Sequence, residues 1–140
     1  GASYIHILVP CPLGWGTAAS DTVKMARLAK ETGMFPVFEA EHGELKSVLA
    51  IRHQLPVEDY LKPQKRYAHL FGTTPRVDVI ARLQALADRW AVVGLLQRDM
   101  PYREIHRQTG VSVTTIGRVA RYLAAGNGGY ALAVRRLQER

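Results

Sequence analysis

Residues 101–123, PYREIHRQTGVSVTTIGRVARYL, predict two short helices joined by a tight turn. The first helix is expected over Tyr102–Thr109, and Gly110 supplies the backbone freedom that a chain reversal needs. Ser112 stands where the N-cap of the second helix should be, so its hydroxyl can accept a hydrogen bond from an unpaired backbone amide. This order of elements is typical of a helix-turn-helix.

The second helix of this motif has two chemically different faces. One face carries apolar residues at spacings of three and four, which can pack on the first helix: Val113, Ile116, Ala120 and Leu123. The other face carries Thr114, Thr115, Gly117, Arg118 and Arg121 and no acidic residue, so nothing on it repels phosphate. The pattern therefore predicts double-stranded DNA as a partner, while a solvated basic face without nucleic acid remains the alternative.

The distribution of charge supports the same prediction for the second half of the chain. Residues 1–72 hold 8 basic and 7 acidic side chains, a net charge of +1, whereas residues 73–140 hold 11 and 5, a net charge of +6. All 11 bases of the second part are arginine, which is typical of a part that binds a polyanion. We therefore predict two domains, 1–72 and 73–140.

The composition excludes several other classes of protein. With 47% apolar residues in 140 the chain can build a core, and no apolar run is long enough to span a membrane or resembles a signal peptide. The single cysteine, Cys11, excludes an internal disulfide. We therefore expect a cytoplasmic protein.

The first part is expected to be a small α/β segment. Its predicted elements are a buried strand over residues 4–9, a helix from Ser20 and Asp21 to about Thr32, a hairpin of residues 35–40 and 45–49 turning at His42 and Gly43, a short helix from 56 to 60, and a linker at 71–75. The predicted helix is expected to bury Val23 and to begin at a cap formed by Ser20 and Asp21.

The second part is expected to be all helical. A helix or a bent pair is predicted over residues 77–96, with Gly94 as the weak point, and the helix-turn-helix follows it. A turn over residues 126–129 then leads to a last helix over 130–140. The fold class is therefore α+β, a strand, helix and hairpin followed by a helical bundle.

Residues from about 75 to 140 resemble the Trp repressor superfamily, on the ordered string ADRWAVVGLLQRDMPYREIHRQTGVSVTTIGRVARYLAAGNGGYALAVRRL. The resemblance implies an all-helical, homodimeric repressor whose protomers interlock. It implies that Arg103 approaches DNA, that Val113, Thr114 and Thr115 meet base edges or methyl groups, and that Gly117 lies beside them. The chemistry agrees, since threonine offers a hydroxyl and a methyl group and arginine a bidentate fork.

The same resemblance implies an effector site for L-tryptophan. In tryptophan-responsive members the indole lies between two arginines, and Arg89 and Arg118 fall at the matching positions. Val119 and Tyr122 replace smaller residues of those members and would crowd the pocket. L-tryptophan is thus a hypothesis, and ordinary phosphate or ion-pair roles for Arg89 and Arg118 are the alternative.

Residues 1 to about 89 resemble the C-terminal part of the β subunit of 2-oxoacid (pyruvate):ferredoxin oxidoreductases, on GASYIHILVPCPLGWGTAASDTVKMARLAKETGMFPVFEAEHGELK and PVEDYLKPQKRYAHLFG. That subunit binds thiamine diphosphate and a four-iron cluster, and the resemblance places Cys11 at one cluster ligand. The other ligands would lie before the matched part, and one thiolate cannot hold a cluster. We therefore expect an inactive remnant, joined to the second part by natural fusion or by construction.

Other motifs give no catalytic or metal site. The five histidines show no metal-ligand spacing, and Gly14-Trp15-Gly16 lacks the rest of a dinucleotide fingerprint. The leading hypothesis is a sequence-specific, dimeric DNA-binding regulator, a repressor and not an enzyme. The alternative is an interaction or scaffold protein, or an antitoxin-like module, in which residues 1–72 bind a protein partner.

Overall fold

The computed structural model describes residues 3–42 and 44–125 and confirms the α+β class. Its elements are α1 (Pro12–Trp15), α2 (Thr22–Glu31), β1 (Phe38–Glu41), β2 (Glu44–Val48), α3 (Val57–Leu61), α4 (Val77–Leu96), α5 (Tyr102–Thr109) and α6 (Val113–Ala125), with 3-10 turns at Ala19–Asp21 and Lys65–Leu70. The expected turn over 126–129 and the last helix over 130–140 lie outside the described residues.

The predicted hairpin is confirmed as an antiparallel pair of β1 and β2. Phe38 lies opposite Val48, and the register shifts between Glu39 and Ala40. The hairpin packs against α4, where the ring of Phe38 lies 5.6 Å from that of Trp90. In the described residues, the two-stranded sheet is therefore supported by one helix, α4.

The prediction of a buried strand over residues 4–9 is wrong. The backbone there forms no strand, and the exposed fractions of Tyr4 and Ile5 are 85% and 80%. Ile7 and Val9 are exposed as well, and only Leu8 of this segment packs against the core. A strand needs a neighbour to pair its amides and carbonyls, and the sheet of the described residues contains β1 and β2 alone.

Helix α2 is confirmed, but its buried face differs from the predicted one. Met25 and Ala29 are fully buried, whereas Val23 is 68% exposed. Asp21 occupies the N-cap position without a side-chain hydrogen bond, and the Thr22 hydroxyl donates to the Ala19 carbonyl at 2.8 Å instead. The helix ends before Gly33, as expected.

A first hydrophobic core joins α2, α3 and the first half of α4. Its buried members are Met25, Ala29, Val57, Tyr60, Leu61, Leu70 and Ala87. The Gln84 side-chain oxygen on α4 accepts a hydrogen bond from the Val57 amide at 2.9 Å, which satisfies the first turn of α3. The α/β segment therefore folds onto α4.

Helix α4 continues without a break from Val77 to Leu96, so a bent pair at Gly94 is wrong. Ala87, near the middle of the helix, belongs to the first core, and Val92 and Leu95, near its end, belong to a second core. Because α4 packs in both cores, the two parts of the chain share this helix. The division into domains at residue 72 therefore stays a prediction. In the described part of the chain no helix is long and apolar enough to cross a membrane.

Candidate nucleic-acid interface

The turn between α5 and α6 is fixed by local hydrogen bonds. Gly110 adopts a left-handed backbone with φ of 72°, and its amide donates to the His106 carbonyl at 2.8 Å. The His106 Nδ1 lies 2.8 Å from the Val111 carbonyl, which it can reach only as a donor. The Thr109 hydroxyl donates to the Ile105 carbonyl at 2.7 Å and accepts from the Val111 amide at 3.2 Å. A small number of hydrogen bonds in the turn therefore fixes the angle between α5 and α6.

Ser112 caps α6 as predicted. Its Oγ accepts a hydrogen bond from the Thr115 amide at 3.2 Å, and its carbonyl accepts from the Ile116 amide at 3.0 Å. The Ser112 and Thr115 hydroxyls also lie 2.9 Å apart. The Thr115 hydroxyl is thus engaged in the cap, and its side chain is half-buried, so it is less accessible than the predicted base contact requires.

A second hydrophobic core holds the two helices against α4. Its buried members are Val92, Leu95, Ile105, Val111 and Ile116, with Val119 partly buried beside them. The predicted apolar stripe is right at Ile116 and wrong at its ends, since Val113 is 46% exposed and Leu123 42% exposed. Val111, in the turn, takes the buried place expected of Val113.

The outer face of α6 presents Thr114, Arg118 and Arg121, which are all exposed. At about 100° per residue these positions fall within an arc of about 60°, opposite the buried Ile116. They span about 10 Å along the helix at 1.5 Å per residue, a length that fits within the major groove. Neither arginine has an acidic partner within 4 Å among the described residues.

The other predicted DNA contacts lie at the ends of the two helices. Arg103 is exposed in the first turn of α5, and Val113 is exposed in the first turn of α6. Gly117 is half-buried, and a Cβ there would lie 3.8 Å from a ring carbon of Tyr102. Gly117 therefore lies next to Tyr102 at the start of α5, at a distance where a Cβ would make ordinary van der Waals contact.

The one acidic side chain of α5 is neutralised within the helix. The Glu104 carboxylate accepts from Arg107 Nε at 2.8 Å and from Arg107 Nη2 at 2.5 Å. These bonds, with another from Gln108, lower the pKa of Glu104 to about 2. Arg107 is thus committed to Glu104, and Arg103 is the arginine of α5 without an acidic partner among the described residues.

The two arginines of the predicted effector site lie on different helices. Arg89 is exposed on α4 and Arg118 is exposed on α6, and the two helices pack together through the second core. Val119 faces that core, whereas Tyr122 is exposed. Of the two residues expected to crowd an indole, Val119 is therefore committed to packing.

Cys11 has a structural role in the first part. Its Sγ accepts a hydrogen bond from the Gly14 amide at 3.3 Å and caps the short helix α1. Over residues 3–42 and 44–125 no group of three or more histidine, cysteine or acidic side chains is arranged to hold a metal ion. The residues present do not fit a cluster held by four thiolates.

Sequence reasoning missed one residue of the motif. The sequence pattern argues against His106 as a metal ligand and predicts no other specific role for it, although its ring closes the turn through the Val111 carbonyl. An offset of five residues across a turn matches no helical or strand period, so no sequence signal pointed to this bond.

Comparison with known proteins confirms both resemblances. Residues 77–138 match the family model of the Trp repressor protein. The N-terminal part is similar to pyruvate synthase subunit PorB of Methanosarcina barkeri, with 44% identity over 88 residues, 63% of this chain and 30% of that protein. PorB of Methanocaldococcus jannaschii is 46% identical over 70 residues, 50% of this chain and 24% of that protein.

A related subunit extends the second similarity. Ketoisovalerate oxidoreductase subunit VorB of Pyrococcus abyssi is 38% identical over 72 residues, 50% of this chain and 23% of that protein. The chain thus spans between 23% and 30% of the length of these three relatives. It combines a helix-turn-helix part similar to Trp repressors with a part similar to a segment of an oxidoreductase subunit.

Proposed function

We propose that this chain is a sequence-specific DNA-binding transcriptional regulator of the repressor type, which inserts α6 in the major groove. The observation that carries the proposal is the exposed arc of Thr114, Arg118 and Arg121 on a capped helix whose described residues include no acid. A cytoplasmic location follows from DNA as the partner.

Each exposed group has a distinct role in this proposal. Thr114 and Val113 stand in the first turn of α6 and read base edges, through a hydroxyl and through methyl contact with thymine. Arg118 and Arg121 lie further along the helix and bind phosphates or guanine. Arg103 binds phosphate from the first turn of α5 and so fixes the register on the duplex.

A homodimer is part of the proposal, because one recognition helix reads few base pairs and specific binding normally uses two half-sites. Exposed apolar side chains on two helices support it: Leu86 on α4 and Tyr122 and Leu123 on α6. Monomeric sizes in sedimentation equilibrium, both alone and on DNA, would contradict this part.

An effector site for L-tryptophan, with Arg89 and Arg118 on either side of the indole, is a hypothesis from the family similarity, and its alternative is that Arg118 binds DNA. The proposal is tested by calorimetric titration and thermal unfolding with L-tryptophan. Saturable heat with a rise in Tm supports it, and neither heat nor thermal shift rejects it.

For the first part we propose an inactive remnant of an oxidoreductase subunit, without catalytic residues of its own. Its similarity to PorB over part of that protein supports this origin. The proposed activity of the whole chain is therefore binding and not catalysis.

Amide chemical shifts test DNA binding directly. Adding a duplex should shift the amides of α6 and of the first turn of α5, and should leave the hairpin residues 38–48 unchanged. Shifts confined to the hairpin, or no shifts at low salt, would contradict the proposal.

The same experiment separates the runner-up, an interaction or scaffold protein. The exposed apolar side chains of Tyr4, Ile5, Ile7 and Val9 favour a protein partner for the first part. If the chain is an interaction or scaffold protein, adding DNA should not change the amide chemical shifts of α6.

A further inference from the structure

A pocket of about 390 Å³ lies where the end of α2 meets the segment that follows β2. Its volume falls in the range of small-molecule sites, about 300 to 1,000 Å³. Its lining residues include the apolar Leu49, Ile51 and Leu55 and the basic Lys30 and Arg52. Apolar walls with a few charged groups are typical of a site for a small organic ion.

The charges of the lining favour an anion. Among the described residues neither Lys30 nor Arg52 has an acidic partner within 4 Å. The lining also contains Glu31, whose backbone carbonyl accepts from the Leu55 amide at 3.1 Å and joins the two walls. The lysine, arginine and glutamate of the lining give it a formal net charge of +1, which matches a single carboxylate.

The pocket touches the helix that supports the helix-turn-helix. Ala50, which lines the pocket, lies so close to α4 that a Cβ on Gly94 would be 3.2 Å from the Ala50 Cβ. The next residue, Leu95, belongs to the second core, together with Ile105 of α5 and Ile116 of α6. One contact therefore links the pocket wall to the packing that orients α6.

We propose that this pocket binds a small monocarboxylate with a short apolar chain, and that its occupancy is transmitted to α6 through the contact between Ala50 and Gly94. The consequence for DNA rests on the proposed function above. The binding of the acid itself does not, since Arg52 and Lys30 lie in the α/β part.

Isovalerate and its neutral isostere isovaleramide distinguish charge recognition from filling of an apolar pocket. Calorimetric titration of the full chain should show saturable binding of the acid, with the amide weaker by about tenfold or more, since the neutral amide cannot accept a charge-assisted hydrogen bond. Equal binding of acid and amide, or no saturable binding, would overturn the proposal.

Variants locate the site. Arg52→Gln and Lys30→Gln should each weaken isovalerate several-fold, whereas Lys24→Gln, an exposed position on the same helix outside the pocket, should leave it unchanged. Equal losses in all three variants would indicate a general charge effect and would overturn the assigned site.

Methyl signals test the coupling without DNA. Isovalerate should shift the methyl groups of Leu95, Ile105 and Ile116, and Gly94→Ala should alter those shifts because the added methyl group moves Ala50. If isovalerate binds and these methyl groups do not respond, the coupling is wrong. Since DNA is absent, a failure of the proposed DNA binding gives a different pattern of results.

Discussion

Removing the two arginines of the α6 arc should reduce the salt dependence of DNA binding. In Arg118→Gln/Arg121→Gln the helix loses two exposed cations that have no acidic partner within 4 Å among the described residues. If each contacts one phosphate, the slope of log K against log salt falls in magnitude by about 1.8, at about 0.9 per phosphate. The ratio of the wild-type to the variant binding constant should then fall roughly 12-fold as the salt concentration rises from 50 to 200 mM.

Fluorescence anisotropy with one duplex over that salt range measures both slopes. Arg27→Gln/Arg82→Gln is the matched control, because it removes the same charge from exposed positions on α2 and α4. Both variants should retain the helix content and the urea midpoint of the wild type, since exposed substitutions change stability by about 0.5 kcal/mol or less. An unchanged slope in the α6 variant, or an equal change in the control, would refute the assignment of α6 to the phosphates.

Three further predictions concern the motif itself. Gly110→Ala should lower the free energy of unfolding by about 1 kcal/mol, because an alanine with φ of 72° is strained although nothing lies within 4 Å of its Cβ. Urea denaturation followed by tryptophan fluorescence checks this value, and Gly110→Asn should cost less. Ile116→Ala should cost about 2 to 5 kcal/mol by opening the second core, whereas the exposed Val113→Ala should cost much less in the same assay. Because the pKa of Glu104 is lowered from 4.5 to about 2, the stability that its pair with Arg107 contributes should be fully present above about pH 4.5 and should be lost as the pH falls from there through about 2. A carboxyl carbon titration with a midpoint near 4.5 would contradict the pairing.

The sequence predicts the motif because its signals are local. A glycine at the turn, a serine at the cap and apolar residues at helical spacing lie within a few positions of each other, and Gly110, Ser112 and Ile116 take the places expected of them. Helix α4 is found at the predicted bounds for the same reason, because its apolar period is sustained over residues 77–96.

The features that the sequence does not predict depend on contacts between residues that are far apart in the chain. The pattern of residues 4–9 fits a buried strand, but a strand also needs a neighbour, and the pattern carries no information on one. The pocket beside Arg52 joins α2 to the segment after the hairpin, and the contact between Gly94 and Ala50 joins residues that are far apart in the chain. Such features follow from packing, which sequence periodicity does not encode.

Selection of bound duplexes from a random pool tests whether α6 reads DNA sequence. We expect enrichment of a two-fold symmetric sequence with half-sites about 10 base pairs apart, and loss of preference at one position of each half-site in Thr114→Ala. A selected pool that matches the input at every position would contradict it.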